Sequence, residues 1–207
     1  MYTLHWSPNT GAFAPHAALA EVGADYKLVE VNLDADEHHS PAFLRINRRA
    51  QVPVLELPHG AVMTESVAML LHIADCHPRA ALLPVQPGRA RAYRWLLFCA
   101  LNLYEAVCRS GDPHHYSDRA ADFDGIQAKA LADIDRYWDM VVSDLSGPYF
   151  LGDHFSVVDL YLYMLMQWHA KPAALRERLP ALDVLCTQVE KRPALADVFA
   201  KHYALPS

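Results

Sequence analysis

The chain has 207 residues, 53% of them hydrophobic and 20% charged, with a formal net charge of -6. At roughly 100–200 residues per domain this predicts one large or two small globular domains and excludes a disordered chain. The acidic balance removes the general attraction for phosphate, so nucleic acid is not an expected partner.

The first 80 or so residues alternate short β-rich runs with amphipathic stretches, the pattern of an α/β domain. Tyr2 to Trp6 reads as a strand. Ala14 to Glu21 follows as a helix, with Pro15 tolerable in its first turn and Gly23 as its left-handed cap. Tyr26 to Val31 is the second strand and Pro41 to Ile46 a short helix. The runs 54–57 and 61–64 flank Pro58-His59-Gly60 and predict a hairpin; Ser66 to Cys76 then closes the domain as a helix. Prolines 84 and 87 with Gly88 break both kinds of repeat and mark residues 84–90 as a linker between a domain at 1–83 and another at 91–207. Beyond it the pattern is helical: Arg91 to Cys108, Ile126 to Ser143, Val157 to Gln167, Ala181 to Glu190 and Ala194 to His202.

No apolar run approaches the roughly 18–20 residues of a membrane helix, and the first six residues lack the basic start and long apolar stretch of a signal peptide. A cytoplasmic protein without membrane contacts is expected. Cys76, Cys99, Cys108 and Cys186 form no C-x-x-C pair and read as buried, reduced thiols. On one helix, Cys99 and Cys108 would point about 180° apart, too far to bridge.

Ser156-Val157-Val158-Asp159 reads as a capping box opening the very apolar helix that follows. With Tyr149-Phe150-Leu151-Gly152-Asp153 before it, the segment resembles the cytosolic glutathione transferases, which carry such a box in an all-helical second domain. In the first half, Ala50-Gln51-Val52-Pro53-Val54-Leu55 followed by Thr64-Glu65-Ser66 is similar to that family's two-part glutathione signature. The resemblance spans nearly the whole chain. It implies a thioredoxin-like N-terminal domain, an all-helical C-terminal domain, and reduced glutathione as co-substrate.

The residues suit that ligand. If Pro53 is cis, as the resemblance implies, Val52 presents free backbone groups to an extended peptide and pairs with the cysteinyl residue of glutathione, beside Gln51. Ser66, at a helix start, suits a carboxylate, and Glu65 suits the α-ammonium. The glycine carboxylate needs a cation or strong donors, for which His38 or His39 with Arg49 are the candidates. Neither His38-His39 nor His114-His115 has a third ligand at a recognisable spacing, so no metal is expected.

The segment from Trp6 to His16 is similar to the bacterial beta class, sharing Ser7-Pro8 and Ala14-Pro15-His16. Where that class carries a catalytic cysteine followed by a serine, this chain has Gly11 and Ala12. Thiolate stabilisation therefore falls to Thr10 first, then Ser7 and Asn9. An acceptor pocket is expected between the domains, with Phe13, Tyr104, Cys108, Arg109, Tyr116, Trp168 and His169 as lining candidates. The implied function is glutathione conjugation of small electrophiles by a homodimer. Peroxide reduction, ether cleavage or a non-catalytic interaction module are the alternatives.

Overall fold

The computed structural model describes residues 1–203. They divide into two compact units: Met1–Leu83 together with the segment from Glu190 onward, and Pro84–Val189.

The first unit is built on a four-stranded sheet. β1 (Tyr2–Trp6) lies parallel to β2 (Tyr26–Glu30), with Tyr2 opposite Tyr26 and Trp6 opposite Glu30. Between these strands runs α1 (Phe13–Glu21); the chain then passes through a tight turn at Glu37–His39 and the single-turn α2 (Pro41–Leu44). β3 (Val54–Glu56) returns antiparallel to β1, setting Leu55 opposite Leu4, and β4 (Val62–Met63) completes the order β2-β1-β3-β4. α3 (Ser66–Cys76) packs along α1. This is the expected thioredoxin-like domain. Every residue of α1 from Phe13 to Leu19 is buried, so the helix has no solvent stripe, and its alanines allow close approach from several sides.

The second unit is entirely helical. α4 (Gly88–Phe98) begins inside the expected linker and runs into a π-helical turn at Cys99–Tyr104 before α5 (Glu105–Gly111). The sequence pattern predicted one uninterrupted helix here. The wider turn leaves the Phe98 carbonyl to accept from Asn102 Nδ2 at 3.1 Å, and it re-aims the residues that follow. The long amphipathic α6 (Phe123–Ser143) precedes α7 (Val157–Gln167), in which every residue from Val157 to Met166 is buried. α8 (Pro172–Arg178), absent from the sequence reading, and α9 (Pro180–Glu190) follow. Trp95, Trp138 and Phe150 fill the core.

The last helix, α10 (Ala196–Tyr203), packs on α1 within the first unit. Phe199 stacks on Phe13 at 5.8 Å between ring centres, and Arg192 forks onto Glu21 at 2.6 and 2.7 Å. These contacts explain why a segment expected in the helical domain joins the α/β unit. Cysteine placement also departs from expectation: Cys99 and Cys186 are buried, but Cys76 and Cys108 are exposed. Among the described residues no helix is long and apolar enough to cross a membrane.

Candidate functional site

Val52 and Pro53 are joined by a cis peptide bond. Among the described residues nothing hydrogen-bonds to the Val52 N–H or C=O. The preceding loop is shaped by Asn47, a buried side chain that the sequence reading passed over. Its Nδ2 donates to the Gln51 carbonyl at 2.8 Å, its Oδ1 accepts from the Arg49 N–H at 3.0 Å, and its carbonyl accepts from the Ala50 N–H at 3.1 Å. These bonds accompany a positive φ of 53° at Ala50 and fix the loop that leads into Val52. In the sequence Asn47 stands among Arg45, Arg48 and Arg49, and nothing local sets it apart from a solvated polar run.

Glu65 precedes α3 with φ 66° and ψ 105°, an unfavourable backbone for a residue with a Cβ, costing of order 1–3 kcal/mol. Strain of this kind marks a residue held for a purpose, and here it sits beside Ser66, the first residue of α3. Ser66 therefore stands at a helix start, where the first-turn N–H groups and the helix dipole favour an anion. The Glu65 carboxylate accepts from Arg49 Nη1 at 2.9 Å, with both side chains about two-thirds exposed, at 66% and 65%. Arg49, a candidate for the glycine end of glutathione, is here paired with Glu65.

The other candidates for that end, His38 and His39, lie in the turn before α2. His39 Nδ1 donates to Asp36 Oδ1 at 2.6 Å, and His38 Nε2 lies 3.7 Å from the same oxygen. His38 Nδ1 is buried without a partner. A proton there would be an orphaned buried donor, so His38 carries its proton on Nε2, the nitrogen toward Asp36. The two rings lie 4.2 Å apart, and Asp36 supplies the third group that the sequence spacing did not show, bringing three ligand atoms within 4.8 Å of one another. Both ring N–H groups are thus directed at the Asp36 carboxylate.

In the first loop the Thr10 hydroxyl donates to the Ser7 carbonyl at 2.7 Å and accepts from the Ala12 N–H at 3.3 Å. Its single proton is engaged in shaping the turn into α1. Asn9 supports that turn with a left-handed φ of 51°. Ser7 is mostly buried, and its hydroxyl makes no hydrogen bond among the described residues. Of the two hydroxyls, that of Thr10 is engaged and that of Ser7 is the disengaged donor among the described residues. Gly11 and Ala12 occupy the loop with no sulfur.

The expected acceptor residues separate into groups. Phe13 has no exposed surface and packs against Phe199, His202 and Tyr203, so it is core and lines nothing. Tyr104, at the end of the π turn, meets Trp168 edge-on at 5.0 Å and stacks on Tyr161 at 6.5 Å. Arg109 and Tyr116 line a cavity of about 480 Å³ with Ile126 and Lys129. The Arg109 guanidinium, however, is taken by Glu105 at 3.0 Å and Asp133 at 3.3 Å. His169 Nδ1 accepts from the Lys171 N–H at 3.1 Å. Burial, followed by Asp112 and Glu105, pushes the Cys108 thiol up, and burial does the same to Cys99, so neither favours thiolate.

Residues 1–75 match the N-terminal domain of glutathione S-transferase, and residues 114–202 match its C-terminal domain. A glutathione S-transferase from a sphingomonad, solved in complex with glutathione, is 30% identical, with a TM-score of 0.82 over 98% of this chain and 100% of its own. The chain belongs to the glutathione S-transferase family. A glutathione transferase homologue from Sulfitobacter with bound glutathione is 28% identical, with a TM-score of 0.91 over 97% of this chain and 98% of that one. A beta-class glutathione S-transferase from Sphingomonas chungbukensis is also 28% identical, with a TM-score of 0.82 over 98% and 100% of the two chains. In family terms, the Val52 edge, the start of α3 and the loop before α1 all lie on the N-terminal domain, and the capping box lies in the C-terminal one. The box forms: the Asp159 carboxylate accepts from the Ser156 N–H at 2.7 Å, and the Ser156 hydroxyl accepts from the Val158 N–H at 3.3 Å.

Proposed function

We propose that this protein is a glutathione transferase of beta-class type that works without a catalytic cysteine, binding reduced glutathione on residues 1–83 and presenting its thiolate to small electrophiles. The observation that carries the reading is the open backbone of Val52 in the same unit as the strained Glu65 and the start of α3. An extended tripeptide pairs its cysteinyl N–H and C=O with Val52 as a short added strand. Its α-ammonium meets Glu65, and its α-carboxylate meets Ser66 with the first N–H groups of α3. At the other end the glycine carboxylate takes the place of Asp36 as acceptor for His38 and His39. The thiol then lies at the loop before α1, where Ser7 donates to the sulfur and the helix dipole favours its charge. Direct attack needs little more than this lowered pKa and a fixed approach.

Calorimetry tests the binding half. Glu65→Gln and Ser66→Ala are each expected to weaken glutathione by about 1–3 kcal/mol, the range for a lost charge-assisted hydrogen bond. Unchanged affinity in both folded variants would remove α3 from the site. For Glu65 the expected loss lies toward the lower end, because Arg49 already shares its carboxylate.

A homodimer belongs to the same reading. Leu97 and Leu101, four residues apart on α4 and its π turn, are 51% and 70% exposed, an apolar strip that a second copy would cover. Light scattering at micromolar concentration is expected to give twice the 23.2 kDa subunit mass, and Leu101→Arg to give the single mass.

A further inference from the structure

Two histidines of the first unit have no part in the glutathione reading. His16 on α1 has no exposed surface, and His202 on α10 has almost none. His16 Nδ1 lies 3.1 Å from His202 Nε2, and His16 Nε2 lies 3.2 Å from the Tyr26 hydroxyl on β2. His202 Nδ1 is buried without a partner among the described residues. Aromatic rings enclose the pair: Trp6 stands 4.9 Å from His202, and Phe13 meets it edge-on at 5.5 Å.

This arrangement assigns every proton. On His202 Nδ1 a proton would be a buried donor with nothing to accept it, so this ring carries its proton on Nε2 and donates to His16 Nδ1. His16 then carries its own on Nε2 and donates to Tyr26. With both rings neutral, each N–H has an acceptor. An added proton has two places to go: the orphaned His202 Nδ1, or His16 Nδ1, where two N–H groups would then face each other across 3.1 Å.

The surroundings offer no rescue. Among the described residues no carboxylate pairs with either ring. Asp197 and Lys201, the charged groups of α10 that act on His16, pull in opposite senses and are bound to each other at 2.7 Å. Glu21 of α1 is held by Arg192, while β1 and β2 bring Trp6 and Tyr26. Burial takes His16 down to about 4, and burial with His16 beside it takes His202 down to about 3.

We propose that this pair is an acid-released latch, in which protonation of either ring frees α10 from α1 while the sheet stays folded. The direction follows from linkage. A histidine depressed in the packed state stabilises packing fully above its ordinary value of about 6.5, and that support is lost as pH falls toward 4. α10 covers Phe13, the residue with which α1 begins directly after the Ser7–Ala12 loop, so release loosens the platform on which the proposed thiolate site is built.

Hydrogen exchange of the full chain at about pH 7.5 and about pH 5, corrected for intrinsic rates, tests the latch without glutathione, so it stands or falls apart from the proposed chemistry. Protection of residues 196–203 is expected to fall at least about tenfold at the lower pH, while β1 and β3 keep theirs. In His202→Gln the amide donates to His16 Nδ1 and turns to accept when that ring is protonated, so protection of α10 should hold at both values. An unchanged α10 in the parent, loss of α10 and the sheet together, or a glutamine variant that responds like the parent overturns the proposal. Should that variant not fold, proton uptake by His16 and His202 in the parent, followed by NMR, must coincide with opening of α10; either ring protonating beneath a protected α10 also overturns it.

Discussion

Replacing Asp159 by alanine is expected to lower stability by about 3–5 kcal/mol and the melting temperature by roughly 10–15 °C, with the fold and glutathione affinity of the surviving native protein unchanged. Asp159 has no exposed surface. Its carboxylate accepts from the Phe150 N–H and the Ser156 N–H, both at 2.7 Å, and from the Ser156 hydroxyl at 2.9 Å. Truncation leaves two buried backbone donors without an acceptor, each costing about 1–3 kcal/mol, whereas the serine hydroxyl can turn elsewhere. The pH dependence separates this group from the histidine latch. Burial pushes the Asp159 carboxyl up to about 6, against the hydrogen bonds that favour its ionised form. A group raised on folding contributes most below its unfolded value near 3.8 and loses that contribution as pH rises through 6. Asp159 therefore favours the folded state toward acid, opposite to His16 and His202. Differential scanning calorimetry across this range, on the parent and on Asp159→Asn, reads the sign: the asparagine variant should lose the acid-side gain. A melting temperature within 2–4 °C of the parent in Asp159→Ala, which corresponds to about 1 kcal/mol, would mean the two donors find other partners.

What could be read from sequence here divides by how local its cause is. α7 starts and stops at the expected residues because its signals, a capping box followed by an unbroken apolar run, lie within the helix itself. The Val52-Pro53 edge and the 54–63 hairpin are equally local. Arg49 is different: its choice of Glu65 over the turn before α2 depends on the course that Asn47 imposes between them. Likewise His202 shows in the sequence only as one position on the buried face of a last helix, while its partner lies 186 residues earlier. Periodicity tells which side of α10 is covered and says nothing of what covers it. The same limit explains the reassignment of Phe13 from pocket to core, since its ring packs against Phe199, His202 and Tyr203 of the distant α10. The π turn at Cys99–Tyr104 escapes a period-3.6 reading because the apolar pattern continues through it and only the hydrogen bonding changes.

Ser7→Ala is expected to raise the thiol pKa of bound glutathione by one to two units, a tenfold to hundredfold loss of thiolate below that pKa, whereas Thr10→Ala moves it by less than about half a unit. A free thiol titrates near 8.5, and bringing it down by about two units takes roughly 2.7 kcal/mol of preference for the charged form. The start of α1 contributes about 0.3–1 kcal/mol, and one hydrogen bond to the sulfur anion about 1.5–3 kcal/mol, so a single hydroxyl decides whether the thiolate is present at neutral pH. Thr10 can donate to the sulfur only by abandoning the Ser7 carbonyl at 2.7 Å, which gives back much of what the new bond supplies. Ser7 gives up no such bond, since its hydroxyl has none among the described residues. Thr10→Ala should act mainly on the turn itself, through the lost bond from the Ala12 N–H, and appear as weaker glutathione binding with little change in pKa. The measurement is thiolate absorbance of the glutathione complex against pH for the parent and both variants. A larger shift in Thr10→Ala would show that the loop rearranges on binding and that Thr10 is the donor after all. A parent complex that titrates like free glutathione would remove the catalytic reading and leave a glutathione-binding module. With Gly11 and Ala12 at the centre of the loop, no stable mixed disulfide should form there in any of the three proteins.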